Sequence, residues 1–338
     1  MTDLSETESL ARIVDEAAQR APDGTALRDR YQGVMLGLAA GNALGLPVEG
    51  SSAHAIRRRF PNGVTDVDSA ERDRPLDDDV AQSVILAEVL CETETLDPQM
   101  LGSRLVLWAQ ENGRGMGGLT HSVIRELERG TEPYEAARRA WEQNPMSGAG
   151  NGAVMRCPPV ALRHVTSGAG LVETARASAL VTHFDARCEW STVAVTVAIA
   201  TCLHGEPIAL DELAAAFDDL GEDAAPREAI EQVTEAIRAV DGAGLESLNL
   251  DDPMDMGYTL KAMQVALWCV VERGELEGAV IDVVNRGGDT DTNGAVAGAV
   301  LGALHGASSV PARWLDNLAG REKLTELADR LLEVSSGP

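Results

Sequence analysis

The run Asn285-Arg-Gly-Gly-Asp-Thr-Asp-Thr292 places two carboxylates and two hydroxyls within four residues, directly ahead of a glycine-rich segment, 293–306, without Asp, Glu, Lys or Arg. Oxygen donors of this kind suit Mg²⁺, Mn²⁺ or Ca²⁺ and not zinc or copper. A second acidic cluster, Asp77-Asp78-Asp79, stands the same way before the apolar run 80–90. Taken singly, such clusters are also helix caps, because Asp and Thr are favoured N-cap residues and carboxylates in a first turn suit the helix dipole. Asp289 to Thr292 exceeds what one cap requires, and Gly287-Gly288 before it would let the backbone come close to a ligand. Two clusters of this kind can build a two-metal centre.

The elements that must position these groups read as helices. Apolar residues recur at helical spacing over 29–45, 80–92, 98–112, 119–128, 170–182, 188–204, 258–273, 293–305 and 321–334, and strand signals are scarce, with aromatics at 3%. The expected fold class is all-α, a single-domain orthogonal helical bundle over 29–338 preceded by an acidic helical N-terminal extension over 1–28. Residues 206–252 read as a solvated helical excursion of that domain. Two segments carry glycine at every fourth position: Gly33, Gly37, Gly41 and Gly45, then Gly294, Gly298, Gly302 and Gly306. Each glycine costs a helix about 1 kcal/mol relative to alanine, so something must pack closely against these ridges, and both helices are expected deep in the bundle. The first would deliver Glu49 at its exit and the last Asp289 to Thr292 at its entrance.

Composition narrows the partners. With 54 acidic and 28 basic residues the formal charge is -26, which speaks against gripping nucleic acid by its phosphates. An anionic ligand must be held locally. Five cysteines, Cys91, Cys157, Cys188, Cys202 and Cys269, are scattered without a C-x-x-C pair, so neither a disulfide framework nor structural zinc is expected. The start lacks a secretory pattern and no apolar run reaches about 18 residues, so the expected location is cytoplasmic, with no membrane span.

Two further features could touch a ligand. The small-residue loop 147–153, Ser-Gly-Ala-Gly-Asn-Gly-Ala, lacks the preceding strand of a dinucleotide fingerprint, yet its amides could serve phosphate or ribose oxygens. An ordinary turn is the alternative. His183 stands alone, without a second histidine at ligand spacing, and a lone histidine is commonly structural. A Walker A loop and a Gly-x-Ser-x-Gly elbow are both missing from the sequence.

In order and spacing, Gly41-Asn-Ala-Leu-Gly-Leu-Pro-Val-Glu49, Asp77-Asp-Asp-Val-Ala-Gln82, Gly150-Asn-Gly-Ala-Val-Met-Arg156, Thr182-His183, Gly257-Tyr258 and Val284 to Thr292 resemble the ADP-ribosylglycohydrolase family, over residues 29 to 306. The resemblance implies an all-helical domain with two Mg²⁺ or Mn²⁺ ions in a central cleft. By position, Asp77, Asp78 and Asp79 would ligate metal from one side and Asp289, Asp291 and Thr292 from the other. Gly148, Ala149, Gly150, Asn151 and His183 would line the ADP-ribose pocket, and Glu49 matches a glutamate near the scissile bond. Four positions in three motifs depart from the family pattern. Asp77 and Val80 replace hydroxyl residues, Asn42 replaces an aspartate, and Arg286 stands where an apolar residue is usual.

The implied substrate is an ADP-ribosylated protein or small molecule, with nucleic acid only as a modified acceptor. Cleavage at an anomeric carbon passes through an oxocarbenium-like state that needs positioned carboxylates, and paired metals can orient water and lower its pKa. A non-catalytic ADP-ribose-binding relative is the alternative from another class. A two-metal phosphoesterase would differ in releasing AMP.

Overall fold

Glycine at every fourth position builds the axis of the molecule. In the computed structural model, which describes residues 7–20, 24–143, 148–221, 226–272 and 274–335, the helices Gly24–Gly45 and Thr290–His305 lie antiparallel along their glycine ridges. Gly33 faces Gly302, Gly37 faces Gly298, Gly41 faces Gly294, and Gly45 faces the Thr290 backbone. A methyl group on any of them would overlap a main-chain carbonyl of the partner helix. The close approach accounts for residues that otherwise destabilise a helix. Both helices are buried around most of their circumference, as befits the centre of a bundle.

Other helices wrap this pair. Ala186–Leu203, Thr259–Glu272 and Leu276–Val284 pack on the later helix, while Asp78–Glu92 and Arg321–Ser335 pack on the earlier one. The fold is all-α, with seventeen α-helices among the described residues. Its one sheet there is a pair of two-residue strands, Ser51–Ser52 antiparallel to Gly287–Gly288. This small sheet ties the residues after Glu49 to those before Asp289. It also corrects the reason for the double glycine. Gly287 and Gly288 hold φ of 80° and 79°, and side chains there would strike the backbone of Ser51 and Leu250. The close approach is to the protein itself, not to a ligand.

The N-terminal helix Glu8–Ala18 is docked, burying Leu10, Ile13 and Val14 in the main core. Its Ala11 backbone abuts Gly168, at the start of the Gly168–Leu180 helix. The next helix begins at Gly24, so the boundary expected at residue 28 falls inside a helix. Within 206–252, the helices Leu210–Asp218 and Arg227–Arg238 add Leu213, Phe217, Val233 and Ile237 to the same core. All five cysteines are free thiols. No helix among the described residues is long and apolar enough to cross a membrane.

Candidate active site

Both acidic helix entrances open on one cleft of about 610 Å³, lined by Glu49, Asp78, Asp289, Asp291 and Thr292 and also by Asn151 and His183. Asp77 precedes the helix Asp78–Glu92, and Asp289 precedes Thr290–His305. Neither carboxylate hydrogen-bonds to its helix as a cap, so capping does not explain them. One oxygen from each of Asp77, Asp78 and Asp79 lies within 4.8 Å of the others, a spacing one cation could bridge. The Thr292 hydroxyl donates to Asp79 Oδ2 at 3.5 Å, joining the two clusters directly.

The electrostatics of the cleft show what is missing from these carboxylates. Asp79 and Asp291 are 1% and 4% exposed, and Oδ1 of each is buried without a hydrogen-bond partner. Burial, then repulsion from Asp77 and Asp289, pushes the Asp78 carboxyl up to about 8. Burial and then Asp78 hold Asp79 well above the usual carboxylate range, and burial and then Asp79 do the same to Asp291. A buried carboxylate without donors is costly. An all-oxygen set with two orphaned carboxylate oxygens fits a hard divalent cation.

Asp77 is the most restrained of the triad. Its Oδ1 lies 3.4 Å from Arg114 Nε, and its Oδ2 accepts from the Asn42 amide at 3.3 Å. The same amide reaches Asp79 Oδ2 at 3.4 Å. Asn42 therefore donates to two carboxylates through its two amide hydrogens, whereas an ionised aspartate at this position has no hydrogen to donate and a protonated one has only one. Arg114 also pairs with Glu71 at 3.0 Å and donates to Pro75 O at 2.8 Å. Burial raises the Asp77 carboxyl, with Asn42 and Arg114 opposing.

Next to the acidic cluster, the Asn151 side-chain amide donates to Asp289 Oδ2 at 2.7 Å. His183 sits 2% exposed, its Nδ1 2.8 Å from the Thr182 hydroxyl. That hydroxyl accepts from Arg156 Nη2 at 2.7 Å, and among the described residues His183 Nδ1 is its one acceptor. The Thr182 proton therefore goes to Nδ1, leaving the ring proton on Nε2, beside Gly150 and Gly152. Burial, then Arg156, lowers the His183 pKa to about 3, so the ring is neutral at ordinary pH. Glu49 lies exposed at the rim. Partial loss of water around it, then Asp289 and Asp77, raises its carboxyl.

The comparisons agree with this geometry. A family model described as ADP-ribosylglycohydrolase matches residues 23–338. The chain belongs to the ADP-ribosylglycohydrolase family. It is 32% identical to an uncharacterised protein of Archaeoglobus fulgidus, over 91% of this chain and 97% of that one. It is 28% identical to the ADP-ribosyl-[dinitrogen reductase] glycohydrolase of Rhodospirillum rubrum, over 87% of this chain and 92% of the relative. Among solved structures, an ADP-ribosylglycohydrolase-related protein complex superposes with a TM-score of 0.69 at 31% identity, covering 92% of this chain and 99% of that one.

In this member of the family the loop expected to hold phosphate is largely committed elsewhere. Asn151 N–H donates to Gly257 O at 3.0 Å, and Ala149 O accepts from Thr259 N–H at 2.9 Å. Gly148 packs on the Trp141 ring, and Ala149 packs with Ala153, Ala179 and Cys188. Gly150 and Asn151 line the cleft; Gly148 and Ala149 do not. Ser147 lies outside the described residues. Arg286 is also outside the cleft, in a surface ion pair with Glu246 at 3.6 Å. Sequence reading does not single out the loop Gly113-Arg-Gly-Met-Gly-Gly118, of which Gly115, Gly117 and Gly118 line the cleft together with Leu119 and Thr120. Its glycine density was the available signal.

Proposed function

We propose that the protein is a divalent-cation-dependent glycohydrolase that cleaves the N- or O-glycosidic bond between ADP-ribose and an acceptor, releasing ADP-ribose. Family membership supports the reaction class. The observation that carries the metal dependence is the pair of buried, donorless carboxylate oxygens, Asp79 Oδ1 and Asp291 Oδ1, where the two acidic entrances meet. Asp77, Asp78, Asp79, Asp289, Asp291 and Thr292 would hold two Mg²⁺ or Mn²⁺ ions. When bound, these ions supply fixed positive charge for ribose hydroxyls and lower the pKa of water.

The chain's own groups do the rest. Asn151 fixes Asp289 through its amide, and Asn42 and Arg114 fix Asp77. His183, neutral and with its proton on Nε2, donates a hydrogen bond without adding charge. Glu49, with its raised pKa and its place at the rim, is suited to exchange a proton with the acceptor or with attacking water. Retention of substrate in a protein of charge -26 depends on these local groups and not on the surface field. The acceptor is a protein side chain in this reading, in keeping with the dinitrogen reductase named for the Rhodospirillum relative.

The test is product analysis after incubation with ADP-ribosylated arginine and serine peptides and Mg²⁺ or Mn²⁺. Free ADP-ribose supports the reading. AMP would indicate a phosphoesterase, and binding without turnover a non-catalytic relative.

A further inference from the structure

Outside the cleft, beside its rim, two arginines stand without a partner of opposite charge. The helix Ala53–Arg59 follows Glu49 after the short strand Ser51–Ser52. Ser52 caps it, accepting from Ala55 N–H at 3.2 Å, and Ile56 anchors it in the main core. His54, Arg57 and Arg58 are three and four positions apart, so they share one face of this helix. All three are exposed. Among the described residues their side chains make no hydrogen bond or ion pair.

The neighbouring Arg59 fixes where this face lies. Its Nη1 donates to Pro47 O at 3.0 Å, two residues before Glu49, and its guanidinium lies 5.0 Å from the centre of the Phe60 ring. The last turn of the helix is therefore folded back against the segment that carries Glu49 to the rim. The first turn is tied from the other side. Ala53 N–H donates to Asp251 Oδ2 at 2.9 Å, and Ser52 pairs with Gly287, two residues before Asp289. The basic face is thus held beside the mouth of the cleft.

Cations at a helix C-terminus are favoured by the dipole, and Arg59 alone supplies one. Arg57 and Arg58 add two more like charges that nothing offsets. The chain's other adjacent arginines, Arg138 and Arg139, are matched by Glu126, Glu135 and Glu142. In a sequence with 54 acidic residues to place against 28 basic ones, an unmatched pair is the exception.

We propose that Arg57 and Arg58 form a docking face for an acidic stretch of the acceptor protein, next to the side chain that carries ADP-ribose. The proposal rests on the glycohydrolase reading above and narrows it to acceptors with carboxylates flanking the modified residue. A surface of charge -26 repels such an acceptor in most orientations. One positive face at the rim selects the orientation that presents the modified side chain to Glu49 and the cleft. Two arginines suit a short run of carboxylates, whereas nucleic acid would need a longer basic track to neutralise successive phosphates.

The test uses peptides with one ADP-ribosylated arginine or serine, whichever linkage is cleaved, flanked either by Asp and Glu or by Gly and Ser. Wild type with Mg²⁺ should show a KM about tenfold lower for the acidic peptide, a preference that shrinks as salt rises. In the double variant Arg57→Glu with Arg58→Glu, whose exposed positions leave the core intact, the ratio of the two KM values should fall to about one or invert. Arg57→Lys with Arg58→Lys should keep the preference, because the charge is kept. Melting curves check that both variants are folded. Equal KM values in the wild type, or a preference that survives charge reversal, overturn the docking face. If the wild type cleaves neither peptide, the glycohydrolase reading fails instead. The face is then decided by fluorescence anisotropy with the unmodified acidic peptide, which must bind the wild type and be released by charge reversal. A single-stranded oligonucleotide that binds more tightly than this peptide, and is lost on the same reversal, assigns the face to nucleic acid and overturns the proposal.

Discussion

The glycines of the central seam and those of the Gly118–Glu128 helix entrance are the same residue used for opposite reasons. Along the seam, Gly37 and Gly298 meet backbone to backbone, and any side chain would penetrate a carbonyl. At the entrance, Gly117 and Gly118 meet nothing. A glycine that packing demands is part of the scaffold. One that packing would readily replace leaves room for something that arrives later. The distinction depends on what surrounds the missing Cβ, and composition cannot express it.

The largest expected effect tests the seam. Gly37→Ala should cost at least about 3 kcal/mol, at or above the top of the usual range for overpacked cores, because two backbones and not flexible side chains would have to move. Urea denaturation measures it, and a loss under about 1 kcal/mol would mean the helices can separate without penalty.

A middle-sized effect concerns the carboxylates that the seam brings together. Without metal, Asp79→Asn should stabilise the fold by roughly 1–3 kcal/mol, the range associated with a buried group short of partners, and should remove Mn²⁺ binding. The pH dependence has a defined sign. Asp78 moves from 3.8 to about 8 on folding, so between these values the folded chain holds a proton that the unfolded chain has lost. Stability in EDTA should therefore rise as pH falls from about 8 toward 4. His183, lowered from 6.5 to about 3, acts in the opposite direction, losing stability as pH falls through that window. It is common to both conditions, so the difference between EDTA and Mg²⁺ melting curves isolates the carboxylates. A difference that does not vary with pH would contradict the carboxylate repulsion described here.

The smallest effect sharpens the other side of the comparison. Gly118→Ala should be neutral or stabilising by up to about 1 kcal/mol, since alanine is the better helix former and nothing obstructs it, while ADP-ribose binding weakens as the new methyl intrudes on the cleft. A destabilised Gly118→Ala protein would place this glycine with those of the seam.

The sequence by itself determined the helical class and much of the chemistry at one wall. Periodicity at 3.6 residues and two glycine ridges are local patterns, and they led to the right helices and to a buried central pair. The acidic runs were legible because carboxylates adjacent in sequence stay adjacent at a helix entrance. Order and spacing of the motifs were enough to point to the family. Tertiary structure decided the rest. That the two ridges face each other, bringing Asp79 to Thr292 across 213 residues of chain, depends on a contact that no local pattern encodes. So does the holding of Asp77 by Arg114 and Asn42. The amide of Asn151 looked free in sequence and proved to be bonded to Gly257, whereas amides without a helical acceptor lie at Gly118 to Thr120. Whether a backbone donor is available depends on which acceptors the fold places around it, and those come from distant parts of the chain.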